Sequence, residues 1–242
     1  MERRGPRRDA VRKIEALRRL LESASAVIFD FDNVIVDSEP YHYEAYARVF
    51  AKRGHTIDRD EYWLEWTSRG GGAESEIRRY NLRMNPNDVR AEKDPIYTGF
   101  CASGDIRPFP EALGIIDALR ERGLAVAIAS GSYERDIRAI LAANGLEGRF
   151  SVIVGKDNIE RLKPHPDTYL VAAEKLRVEP ARCLAIEDAE KGIRSAREAG
   201  MRVILIETPI TRDLELDGAD LALSNLAELR DLLEEIAARG KR

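Results

Sequence analysis

The sequence predicts an α/β fold: a Rossmann-like parallel sheet with helices on both faces, plus an inserted helical cap. Three observations predict it. The apolar run Ala26 to Phe29 ends abruptly in two acids, Asp30 and Asp32, as a strand buried on both faces ends at a ligand-binding edge. From Pro108 onward, short apolar runs alternate with helical patterns, the signature of a parallel sheet with right-handed crossovers. Between these regions, residues 39–104 carry helical patterns and no strong strand signal. The expected division is therefore an N-terminal segment at 1–23, a core at 24–38 and 105–242, and a cap at 39–104 placed over the first strand's carboxyl end.

The elements follow in order. Val11, Ile14, Leu17, Leu20 and Leu21 recur at helical spacing, which predicts an amphipathic helix from Arg8 to Glu22. In the insertion, Glu44 to Phe50 suits a helix that ends near Gly54. Tyr62 to Trp66 suits another, stopped by Gly70, Gly71 and Gly72. Glu74 to Leu82 and Asp88 to Cys101 complete the set. Glu111 to Arg122 is a helix with Pro110 at its start. Leu124 to Ala129 is a strand, and Arg135 to Ala143 a helix closed by Asn144 and Gly145. Phe150 to Val154 is a strand and Asp167 to Leu176 a helix. Arg182 to Ile186 is a strand, Glu190 to Ala199 a helix closed by Gly200, and Val203 to Ile206 a strand. Leu221 to Leu223 forms a last short strand before the helix Leu226 to Ala238.

A chain of 242 residues can bury a sizeable core. With 44% hydrophobic and 34% charged residues, it has the composition of a soluble globular protein. No apolar run approaches the roughly 20 residues of a membrane span. The basic N-terminus lacks the apolar stretch of a secretory signal. Cys101 and Cys183 are far apart and read as reduced thiols of a cytoplasmic protein. A formal charge of −4 gives no sign of a nucleic-acid partner. Residues 1–23 are strongly arginine-rich, and basic amphipathic helices can bind membranes or nucleic acids. The apolar stripe is read instead as packing on its own domain or at a dimer contact, in a monomer or homodimer.

Four polar sites follow strand ends. Asp30 and Asp32 point the same way from an extended backbone, so both can face one site. Such an Asp-x-Asp either opens a turn or holds a hard divalent cation such as Mg²⁺. Ser130, Gly131 and Ser132 follow the second strand and offer a hydroxyl and backbone N–H groups as a phosphate cradle, or a helix N-cap. Lys163 precedes Pro164, His165 and Pro166, and the two prolines predict a rigid, extended approach that positions its cation. Glu187 and Asp188 end an apolar strand, a costly place for two acids unless they bind a cation or reach solvent. Acids for a metal, a carboxylate nucleophile, a hydroxyl and a lysine are the parts that phosphoryl transfer through an acyl phosphate needs.

With these four motifs in this order, the chain resembles the haloacid dehalogenase superfamily. More narrowly, it resembles the β-phosphoglucomutase and phosphoglycolate-phosphatase-like group with a helical cap. The resemblance covers about Ala24 to the C-terminus. It implies that Asp30 attacks phosphorus. Asp32 would protonate the leaving oxygen, accept a proton from water and lend its backbone carbonyl to Mg²⁺. Asp188 would be a side-chain metal ligand, with Glu187 a ligand through water or an acid behind it. Ser130 and Lys163 would hold the phosphoryl oxygens. Asn33 stands where the family usually has glycine, and asparagine tolerates the left-handed turn this requires. Ala189 and Leu162 also depart from the usual pattern without removing a catalytic group.

The cap is expected to choose the substrate. His42 matches a histidine of related mutases and is equally read as an ordinary helix-face histidine. Lys93 and Arg69 are further candidate substrate contacts. Trp63 and Trp66 either stack on a sugar or fill the cap's core. Ala73 stands where mutases place an arginine for a second phosphate. The expectation is hydrolysis of a small phosphomonoester. The alternatives are a sugar-phosphate mutase of the β-phosphoglucomutase type and a non-catalytic metal- and phosphate-binding module. A binding module has no need of an acid at Asp32.

Overall fold

Six parallel strands form one sheet. They are β1 (Ala26–Phe29), β2 (Ala125–Ala129), β3 (Val152–Val154), β4 (Cys183–Glu187), β5 (Arg202–Ile206) and β6 (Leu221–Leu223), in the order β3-β2-β1-β4-β5-β6. The structure, a computed structural model, describes residues 6–68, 71–208, 211–212 and 216–240. β1 lies between β2 and β4, where the strand order reverses, and α/β sheets bind ligands outside the carboxyl ends at such a point. All four residues of β1 are buried. Val27 and Phe29 enter one apolar cluster while Ala26 and Ile28 enter the other, as the two-residue period of a strand requires.

Helices cover both faces, as the sequence predicts. On the Val27 face lie α1 (Pro6–Ser23), α6 (Pro110–Glu121), α7 (Glu134–Ala143) and α10 (Leu226–Gly240). On the Ala26 face lie α8 (Asp167–Leu176) and α9 (Glu190–Glu198). The stripe of α1 is buried at Ile14, Leu17 and Leu20, and Lys13 donates to Glu228 of α10 at 2.7 Å. That seating agrees with packing on its own domain.

The insertion holds α2 (Glu39–Ala51), α3 (Arg59–Glu61), a π-helix (Tyr62–Ser68), α4 (Gly72–Arg79) and α5 (Pro86–Ser103). Its own apolar cluster joins Val49, Phe50, Ile57, Tyr62, Trp66, Ala73 and Val89. Three local differences from the sequence expectation have plain causes. Residues 62–68 wind as a π-helix, which spacing alone does not distinguish from α. α4 stops at Arg79 because Asn81 turns left-handed (φ 50°) and the Leu82 N–H bonds back to the Ile77 carbonyl. α5 begins at Pro86 because the Asn85 side chain accepts from the Asn87 N–H, and it ends at a left-handed Gly104. Among the described residues, no helix is long and apolar enough to cross a membrane.

Candidate active site

The strand register assembles the site. Phe29 pairs with Ile128 of β2 and with Ile186 of β4. One residue further along each strand stand Asp30, Ala129 and Glu187, so the first acid of β1 and the last residue of β4 share one level. The Asp30 N–H extends the ladder by donating to the Ile186 carbonyl at 2.9 Å. After Asp32 the chain turns at Asn33, whose φ of 61° bears out the left-handed conformation expected there.

Asp30, Glu187 and Asp188 form a buried acid cluster in which one carboxylate oxygen of each lies within 4.8 Å of the others. Among the described residues, Lys163 is the cation hydrogen-bonded inside it. Its Nζ donates to Asp30 Oδ1 at 2.6 Å, Glu187 Oε1 at 2.5 Å and the Ala129 carbonyl at 3.0 Å. Tyr169 of α8 donates its hydroxyl to the same Glu187 oxygen at 2.7 Å, and the Asp188 N–H donates to Glu187 Oε2 at 3.1 Å. Burial lifts the Asp30 carboxyl to about 7 against the pull of Lys163, with Glu187 and Asp32 adding to the rise. Asp188 is lifted well above the carboxylate range by burial and then by Asp30 and Glu187. Burial alone would lower Lys163, but its two carboxylate partners hold it well above an ordinary lysine. Three acids with one internal cation lack positive charge, and their donors are all hard oxygens. The residues present therefore fit a divalent cation.

Asp32 faces a different set of groups. Ser38 donates to its Oδ1 at 2.5 Å, and Ser132 and Ser130 donate to Oδ2 at 2.7 and 3.2 Å. His42 Nε2 stands 3.6 Å from Oδ1. Burial would raise this carboxyl, but His42 and the hydroxyls hold it well below the ordinary range. Lys93 lies behind His42, with Nζ 2.9 Å from Nδ1 and 4.0 Å from the centre of the Tyr97 ring, on which His42 stacks. Burial lowers Lys93 to about 8. A charged Lys93 donates to Nδ1, which leaves the imidazole proton on Nε2, facing Asp32.

A cavity of about 300 Å³ opens over these groups. Asp30, Asp32, Lys163, Glu187 and Asp188 line it from the sheet, with Gly131 and Ser132. The insertion contributes Glu39, His42, Tyr46, Tyr62 and Trp66. The structure thus brings the four strand-end motifs and His42 together. Lys93 does not line the cavity and reaches it only through His42. Arg69 lies outside the described residues. Ser130 is fully buried and its hydroxyl is spent on Asp32 and the Ser132 N–H, while its own N–H bonds to the Val154 carbonyl. Of the expected cradle, Gly131 and Ser132 line the cavity, and the Ser132 hydroxyl donates to Asp32.

The Asp32 carboxylate faces the same cavity as Asp30, as expected, and bonds Ser38, Ser130 and Ser132, while Glu187 and Asp188 share the acid cluster with Asp30. One expectation is corrected. Lys163 is not on an extended approach. Residues 162–165 form a turn with a cis Lys163–Pro164 bond, closed by the His165 N–H on the Leu162 carbonyl at 3.0 Å. Sequence reasoning missed Ser38, Tyr169 and Lys191. Tyr169 carried a signal, as the one aromatic on an alanine-lined helix face. Ser38 and the cavity-lining Lys191 carried none.

A family model described as haloacid dehalogenase-like hydrolase matches residues 24–200. The chain is 33% identical over 216 residues to protein CbbY of Rhodobacter capsulatus, covering 84% of this chain and 93% of that protein. It is 29% identical over 186 residues to fructose-1-phosphate phosphatase YqaB of Escherichia coli, covering 76% and 97%. A crystal structure of an aspartate-to-asparagine variant of CbbY from Rhodobacter sphaeroides, in complex with xylulose-(1,5)bisphosphate, superposes with a TM-score of 0.72 at 30% identity. That match covers 85% of this chain and 96% of the other.

Proposed function

This chain belongs to the haloacid dehalogenase-like hydrolases and is a phosphatase of that family, and from that premise we propose that it hydrolyses a small sugar-type phosphomonoester through an aspartyl phosphate on Asp30, with Mg²⁺. The observation that carries the reading is Lys163 bridging Asp30 and Glu187 inside the buried acid cluster. That arrangement leaves one carboxylate oxygen of Asp30 to face the cavity as a nucleophile. Two similar proteins bear names or titles that tie them to sugar phosphates.

Asp30, Glu187 and Asp188 would hold the cation, which supplies neutralisation of phosphoryl charge when bound. Asp30 attacks phosphorus in line as the bond to the leaving oxygen breaks, and Asp32, entering this step protonated, gives that oxygen its proton. Lys163 holds Asp30 in place and presents its charge to the equatorial oxygens. The Gly131 N–H bounds the same space as a donor, while the Ser132 hydroxyl, like that of Ser130, gives its proton to Asp32. The Asp32 carboxylate left by that transfer, held ionised by His42 and the serines, then takes the proton of the water that attacks phosphorus, so that the bond to Asp30 breaks and phosphate leaves. The aromatic groups of the insertion enclose the organic part of the substrate. The two free thiols, both buried, fit the cytoplasmic setting expected from the sequence.

A Mg²⁺-dependent phosphate-release screen over sugar phosphates, phosphoglycolate and nucleotides tests the reading. It is run beside a coupled assay for conversion of β-glucose 1-phosphate to glucose 6-phosphate. Release without isomerisation is the expected result. Isomerisation with little release would replace the phosphatase by a mutase, and binding without turnover would leave a non-catalytic module.

A further inference from the structure

Gly192 sits in the first turn of α9, buried against the end of β4. Its backbone is ordinary helix, and its N–H bonds to the Ala189 carbonyl at 3.0 Å, so no left-handed conformation calls for glycine here. A glycine inside a helix is less stable than alanine. Something other than backbone geometry therefore accounts for it. A β-carbon built at 192 would overlap the Glu187 carboxylate: the three nearest atoms are its two oxygens and the carbon between them.

That carboxylate has little freedom to yield. Glu187 is 1% exposed, and Oε1 receives both Lys163 and Tyr169 while Oε2 receives the Asp188 N–H. A carboxylate at the end of a side chain can swing, but here any swing breaks the contacts that centre Lys163 between two acids. We propose that Gly192 is a positioning residue for the acid cluster: its missing side chain leaves the space in which Glu187 sits against Lys163 and Tyr169. Substitution at 192 is thus felt at the cation position, although residue 192 touches no reacting atom.

The link to catalysis rests on the phosphatase reading, while the seating itself does not. Four proteins test both: wild type, Gly192→Ala, Glu187→Ala and the double variant. Each is followed by thermal unfolding without metal and by calorimetric titration with Mg²⁺. In the wild-type background Gly192→Ala should lower Tm and weaken Mg²⁺ binding at least about tenfold, as changes to groups supporting metal ligands do. In the Glu187→Ala background the same substitution should raise Tm, by about 2 °C, because the obstructing carboxylate is gone and alanine suits a helix better. A reversal of sign between backgrounds supports the proposal. An equal loss of Tm in both backgrounds would overturn it, since Gly192 would then serve helix packing alone. Unchanged Mg²⁺ binding in Gly192→Ala would also overturn it. If the sign reverses and Mg²⁺ binding weakens, but wild type hydrolyses no phosphomonoester, the phosphatase reading fails and the seating stands.

Discussion

Asp30 and Asp32 are separated by one residue, and their carboxyl groups shift in opposite directions because their partners differ. Burial lifts Asp30 to about 7, with Glu187 and Asp32 adding to the rise, while Asp32 is held low by His42, Ser38 and Ser132. Pairs of acids driven apart in this way mark divided roles in catalysis. Replacing Asp30 by asparagine keeps the shape and removes the proposed nucleophile. Turnover should fall by about four orders of magnitude or more in a phosphate-release assay. Activity within tenfold of wild type would sink the assignment. At this scale the sequence is most legible where a charge interrupts an apolar run, which is how Asp30, Lys163, Glu187 and Asp188 stand out. It is least legible where a neutral group is recruited by tertiary structure. Ser38 bonds Asp32 only because a left-handed turn at Asn33 folds the chain back, and Gly192 matters only because β4 and α9 meet there.

At the scale of elements, period-two and helical spacing predict the sheet and the helices around it, since each must bury one face or stripe. The π-helix at Tyr62–Ser68 was not legible, because a wider turn leaves the apolar pattern of a short segment nearly unchanged. The first helix lies before the stretch that the family model matches, at residues 24–200, yet it is built into the core. Ile14, Leu17 and Leu20 are at most 8% exposed, and burial of each is worth about 2 kcal/mol. Removing residues 1–22 should therefore lower Tm by more than about 10 °C in calorimetry. Because α1 packs against α10, away from the cavity lining, kcat should stay within about twofold. A truncated protein with unchanged Tm would show that the stripe contributes nothing to the fold. A change in substrate preference would place the helix at the active site.

In the whole molecule, the proposed cation site would tie folding stability to cation binding through the acid cluster. An ordinary aspartate titrates near 3.8, while Asp30 in the fold is raised to about 7 and Asp188 is raised as well. Between about pH 4 and 7 the folded chain keeps a proton on Asp30 that the unfolded chain has released, and the rise at Asp188 acts in the same sense. Stability of the metal-free protein must then fall as pH rises through that window. Asp32 contributes with the opposite sign, but its stabilisation is complete above about pH 4 and is lost only in stronger acid. Above about pH 7 Asp30 gives up its proton in this crowded cluster, and a deprotonated carboxylate is what a divalent cation binds. Mg²⁺ at about a hundred times its Kd adds about 2.7 kcal/mol to stability, or about 5–10 °C in Tm for a chain of this size. The rise on adding Mg²⁺ should be of that order at about pH 8 and close to zero at about pH 5, in a scan with and without chelator. An equal rise at both pH values, or a larger one in acid, would mean that the cation binds elsewhere. Neither Asp30 nor Asp188 displays this coupling in the sequence alone, because it arises from the burial of both acids at the meeting of β1 and β4.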